Sequence, residues 1–318
     1  MNDPVLAPSE AQDRLFRPVD RRRFEPQTQR PSLGYWREVF LKLAKNKLAL
    51  LGLTLLLVLV TLAIIGPQLV PYSPSKQSLT EGNLPISGKH WFGTDDLGRD
   101  MWARTWHGAR VSLLIGIVAA LIDLVIGVAI GGVAGYMAGR SAIGDRIDNF
   151  LMRIVEILYG VPYLLVVILL MVVMPPGLGT IIIALTVTGW IGMARLVRGQ
   201  ILQLKQQEYV LAARKLGTSH FHIVRKHLLP NALGVMIVNL TFTIPNAIFA
   251  ESFLSFLGLG VQAPSASWGT MANDALSVVL SGQWWRIFFP GLMISITMLA
   301  FNTLGDGLQD AVDPKNRS

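Results

Sequence analysis

The chain has 318 residues, 52% of them hydrophobic and 15% charged, with a mean hydropathy of +0.47. Soluble domains carry about 25% charged residues, so an ordinary soluble domain is excluded and a polytopic membrane protein is indicated. The net charge of +8 would suit a nucleic-acid binder, but the charges follow membrane topology, and the lack of cysteine excludes disulfides, thiolate metal sites and cysteine nucleophiles.

Residues 1–34 are polar and rich in proline and arginine, which predicts a disordered cytoplasmic tail. No cleavable signal peptide is expected, because the first apolar run begins only near Leu48. Residues 35–47 alternate apolar and basic side chains, as an interfacial helix or a basic flank to the first span would. Six spans follow, over about Leu48–Ile65, Val111–Val133, Phe150–Met174 (kinked at Pro162), Thr180–Val197, Leu233–Leu257 and Ile287–Leu304. They define a transmembrane domain over 48–304, with an external loop at 66–110, a cytoplasmic loop at 198–232 and a cytoplasmic tail at 305–318. With the N-terminus inside, twenty-two of the 28 lysines and arginines fall on the cytoplasmic side, which predicts that both termini are cytoplasmic.

The second span carries Gly127, Gly131, Gly135 and Gly139, a four-residue stripe that lets another helix approach closely. Asp123 and Glu156 are intramembrane carboxylates. For Asp123 a carboxylate satisfied by a neighbouring helix, or lying near an interface, is preferred over a substrate contact. Glu156 lies beside Tyr159 and Gly160-Val161-Pro162, which suggest an irregular helix, so these three residues (Glu156, Tyr159, Pro162) are candidates to line a pathway. Trp268, Trp284 and Trp285 fit an interfacial aromatic belt. Asp95, Asp96 and Asp100 with Arg99 read as an ion-paired loop shaping the outer mouth. His220, His222 and His227 do not share one helical face and read as a solvated rim, so no metal site is expected. No paired catalytic residues face one another, which argues against an intramembrane enzyme.

The basic segment YVLAARKLGTSHFHIVRKHLLPN, from Tyr209 to Asn231, sits between two apolar spans. It predicts a short helix over Glu208–Leu216, a left-handed turn at Gly217, and a second helix from His220 to Leu229. Ser219 is placed to cap that helix, Pro230 to stop it and Asn231 to cap the fifth span. Ala212 and Ala213 leave room for a partner surface, while Tyr209, Leu216, Phe221 and Val224 offer apolar anchors. The pattern is that of an interface, with no nucleophile and base.

This segment resembles the cytoplasmic "EAA" loop of ABC importer permeases: E-A-A, three residues, G, nine residues, I-x-L-P. Ala212-Ala213, Gly217 and Leu229-Pro230 fall at that spacing, while Leu211 replaces the glutamate and His227 the isoleucine. HWFGTDDLGRDMWARTWHGARVSLLIG (His90–Gly116), ESFLSFLGLG (Glu251–Gly260), ASWGTM (Ala266–Met271) and FNTLGDGLQDAVDPK (Phe301–Lys315) resemble the second ("C"-type) permease subunit of the oligopeptide/dipeptide/nickel family. The resemblance runs through nearly everything after residue 35 and is closest to oligopeptide permeases of Gram-positive bacteria.

The resemblance implies an all-α type I ABC importer permease fold in the bacterial cytoplasmic membrane. It also implies a heterodimer with a homologous permease, two ATPase subunits docked on the coupling loop through Tyr209, Ala212, Ala213, Gly217, Leu229 and Pro230, and an extracytoplasmic binding protein that delivers peptide. The chain lacks G-x-x-x-x-G-K-[ST], so it is expected to bind no cofactor, with ATP and magnesium used by the partner ATPases. The alternative cargo is nickel or another small solute.

Overall fold

The computed structural model describes residues 34–175, 177–262 and 265–313. Among these residues the architecture is all helical: α1 (Tyr35–Leu43), α2 (Lys47–Ile65), α3 (Met101–Met137), α4 (Ala142–Gly160), α5 (Tyr163–Val173), α6 (Leu178–Leu204), α7 (Glu208–Lys215), α8 (His220–Ile223), α9 (Leu229–Leu254), α10 (Trp268–Ala275) and α11 (Trp285–Val312). The helices start where side chains satisfy their free N–H groups. Asn46 Oδ1 accepts from Leu48 and Ala49 at α2, Asp100 accepts from Ala103 at α3, and Ser141 accepts from Gly144 at α4.

Five helical stretches are long and apolar enough to cross a membrane, and they contain α2, α3, α6, α9 and α11. The third predicted span differs. It is a bent pair, α4 and α5, meeting at 84°. Pro162 forces its predecessor out of the helical region, and Val161 is extended at φ −81°, ψ 126°. The 11 residues of α5 are too few to span alone, since about 20 are needed.

Packing centres on α3 and α6. A Cβ at Gly127 would come within 2.5 Å of Met193 Cβ, one at Gly131 would collide with the Ala194 backbone, and one at Gly135 would lie 2.9 Å from the Arg198 carbonyl. These three glycines therefore bring the α3 and α6 backbones together. Gly139 is different: nothing lies within 4 Å of its Cβ position, and its φ of +67° turns the chain after α3.

Two terminal regions also depart from expectation. Residues placed in a C-terminal tail continue α11 to Val312, where Ala311 and Val312 are buried against Val39 and Val238. That contact docks α1 onto the end of the bundle, so α1 packs partly on protein. The 1–33 portion of the predicted N-terminal tail and residues 314–318 lie outside the described residues.

Candidate functional site

The Tyr209–Asn231 segment is built on the ends of α3 and α6. Lys205, just past α6, donates to the carbonyls of Gly135 (3.0 Å) and Tyr136 (3.1 Å) and also to that of Ala138. These are the free carbonyls at the end of α3, so the ammonium caps that helix and its dipole. Burial pushes the Lys205 ammonium below its ordinary pKa, and nearby Arg214 and Arg140 add to the effect.

From this anchor α7 runs across the bundle end. Val210 is buried with Tyr136, Met193, Val197, Ile201, Ile223, Leu228, Ala232 and Met236. The helix ends in a Schellman motif: Gly217 N–H donates to the Arg214 carbonyl (3.2 Å) and Thr218 N–H to that of Ala213 (3.1 Å). Gly217 has φ +77°, and nothing lies within 4 Å of where its Cβ would be. The turn needs glycine for its backbone, and the space beside it is open.

The outward face is apolar. Leu216 is 85% exposed and Phe221 73%; Tyr209 and Leu211 are also exposed. Ala212 is exposed and Ala213 half-buried. Beside them lies a cleft of about 360 Å³ lined by Phe221, His222, Arg225, Lys226 and Pro230. Val224 and Leu229, in contrast, pack against the core, so the sequence-derived set divides into an outward group and an inward group.

Three local expectations fail here. Ser219 occupies the N-cap position of α8 but makes no side-chain cap bond. Pro230 does not stop the helix, which continues from α8 through a π-helical stretch, Val224–Leu228, into α9. A wider turn just ahead of the proline relieves the ring clash and missing donor that would break a regular helix. Asn231 is thus no cap, and its amide donates to the His227 carbonyl at 2.6 Å. His220 is also more than a solvated rim residue. Its Nδ1 lies 2.7 Å from the Tyr136 hydroxyl, and its Nε2 accepts from Arg140 at 2.7 Å. Because a guanidinium only donates, the ring proton sits on Nδ1.

The membrane-level candidates separate as well. Glu156 is exposed and pairs with Arg153 at 3.4 Å, and Tyr159 lies under the Arg195 guanidinium at 4.2 Å. Asp123 lines a cavity: it is 5% exposed, and its Oδ1 has no hydrogen-bond partner among the described residues. The expectation of a carboxylate satisfied by a neighbouring helix is therefore corrected.

A buried carboxylate the sequence reading passed over is Glu251 in α9. It accepts from Ser112 (3.1 Å), Ser252 (3.4 Å) and Ser255 (2.7 Å). The signal was present as a glutamate with serines one and four residues on, inside an apolar run. Trp268 and Trp285 leave the expected interfacial belt. Trp268 is fully buried and donates to the Thr105 carbonyl (3.0 Å), and Trp285 is buried and donates to that of Thr94 (3.3 Å). Trp284 stays exposed.

The opposite end of the bundle is tied by ion pairs. Arg99 and Arg104 hold Asp95 at 2.6 and 3.4 Å and Asp274 at 3.5 and 3.1 Å. Arg286, 1% exposed, donates to Asp96, Asn83 and the Asp274 carbonyl, each at 3.0 Å. Burial pushes the Asp274 carboxyl up, against the pull of Arg104 and Arg99.

The model of the binding-protein-dependent transport system inner membrane component matches residues 127–318, more than half of the chain. The chain belongs to this family. A second match, to the N-terminal transmembrane domain of oligopeptide transport permease C, covers residues 34–85. The dipeptide transport system permease protein DppC of Bacillus subtilis is 65% identical over 91% of this chain and 88% of its own length. The oligopeptide transport system permease protein OppC of the same organism is 54% identical over 90% and 92%. A solved structure of the MetNI methionine ABC transporter, in inward-facing conformations, covers 65% of this chain and 94% of its own with a TM-score of 0.52 at 20% identity. That likeness gives the fold, the type I importer permease. Membership makes the chain a multi-pass membrane subunit, a transport component and not an enzyme, in a class that works with a binding protein, ATPase subunits and further permease.

Proposed function

We propose that this chain is one permease half of an ATP-driven peptide importer. The observation that carries the reading is 65% and 54% identity, over nine-tenths of the chain, to permeases named for dipeptide and oligopeptide transport. The exposed apolar face of α7 and its turn supports a coupling role. Tyr209, Ala212 and Gly217 contact an ATPase subunit, Ala213 lets it come close, and Leu229 with Pro230 fixes the segment to α9.

In this reading the chain pairs with a homologous permease above two ATPases, which bind the ATP and magnesium. An extracytoplasmic binding protein supplies peptide, and both termini are cytoplasmic. ATP favours one of two arrangements of the permease pair through differential contacts at the coupling face. The test is reconstitution with these partners in proteoliposomes and measurement of labelled alanyl-alanine uptake. ATP-dependent accumulation is expected. ATP hydrolysis stimulated by the binding protein without peptide accumulation, or with nickel accumulated instead, overturns the peptide assignment.

A further inference from the structure

The break at Val161-Pro162 places Tyr163, the first residue of α5, at a cavity of about 280 Å³ where α3, α5, α6 and α9 converge. Asp123, Tyr163, Thr188, Thr243 and Asn246 supply its polar lining, and none of the lining residues is Lys, Arg or His. Asp123 Oδ1 and the Tyr163 hydroxyl are both buried without a hydrogen-bond partner among the described residues. The site is shaped for the carboxylate: a Cβ at Gly189 would come within 2.8 Å of Asp123 Cγ.

Asp123 lies about midway along the apolar part of α3, where an ionised group without a counter-charge is expensive. Two neighbouring unfilled polar atoms, in a pocket with no cation of its own, describe a receptor for a cationic hydrogen-bond donor. A primary ammonium fits: it carries one positive charge and three N–H groups. Ligand pockets of roughly 300–1,000 Å³ enclose whole small molecules, so this one takes an end and not a whole oligopeptide.

We propose that Asp123 and Tyr163 bind the N-terminal ammonium of a peptide in transit. This rests on the peptide reading and assigns it a contact inside the membrane. Asp123 supplies charge and Tyr163 orients the group.

The test uses the complete permease–ATPase complex in nanodiscs, without binding protein, and saturation-transfer NMR of alanyl-alanine. Wild type is expected to bind, and Asp123→Asn to bind at least tenfold more weakly. N-acetyl-alanyl-alanine, which lacks the ammonium, is expected to bind wild type no better than the variant. Methylammonium chloride should compete where equal sodium chloride does not. Equal binding by wild type and variant, equal binding of the acetylated peptide, displacement by sodium, or no binding to wild type overturns the site. If Asp123→Asn fails to assemble, Tyr163→Phe decides, with about threefold weakening expected and unchanged binding overturning the proposal. Proteoliposome uptake by wild type is read separately, so the importer reading can stand when this site falls.

Discussion

The two ends of the molecule solve opposite problems. At the end that carries Arg286, charged groups are consumed internally: Arg99 and Arg104 meet nearby Asp95, while Arg104–Asp274 and Arg286–Asp96 join segments far apart in sequence. At the end that carries α7, the anchoring groups Lys205, Val210 and His220 face inward, while Leu216 and Phe221 face out with no described residue packed over them. One end completes itself. The other presents an apolar face left open by the described residues, so substitutions should damage stability at one end and association at the other.

The largest stability effect is expected from Arg286→Ala. It leaves Asp96, Asn83 and a backbone carbonyl without their buried donor and should cost about 3 kcal/mol. A fall in thermal unfolding temperature in detergent checks it, and an unchanged temperature would break the contrast. Between the two ends, Gly131→Val drives a side chain into the Ala194 backbone and should cost about 2 kcal/mol in the same assay.

Gly217→Asp has open space beside it, so only the left-handed backbone resists, at about 1 kcal/mol. The protein should remain in the membrane while ATPase recovery on affinity purification and peptide uptake both fall. Wild-type recovery and uptake would remove the docking role from the turn. The smallest stability change, within about 0.5 kcal/mol, is expected for Leu216→Ser with Phe221→Ser. Recovery of ATPase subunits should nonetheless drop several-fold, and that separation of readouts is the sharpest form of the comparison.

Much of this was legible in sequence. Apolar run length located five spanning helices and the bent pair, and glycine spacing predicted a close helix neighbour for α3 without naming α6. The left-handed turn at Gly217 follows from one glycine after a short basic helix, since few other residues adopt that geometry. What stayed hidden depends on partners distant in the chain. Trp268 looks interfacial until Thr105 is brought to its indole, and Asp123 looks satisfied until its Oδ1 proves to have no hydrogen-bond partner among the described residues. The kink expected at Pro162 is present and sharper than a kink, at 84°, whereas the stop expected at Pro230 is absent, and the reason is local. Pro162 follows an extended residue and ends a helix, whereas Pro230 follows a widened turn and does not. Sequence shows the proline but not the turn that receives it.

The helical run from His220 to Leu257, just short of the kink at Gly258, has a mechanical consequence. At about 1.5 Å per residue it makes a rod of roughly 57 Å, nearly twice the thickness of the hydrocarbon layer. Phe221 stands at its N-terminal tip, and Asn246 stands well along its shaft at the cavity of Asp123. Rod and tip share one backbone, so a push on the tip reaches the shaft by leverage, with no hinge loop between them to absorb the stroke.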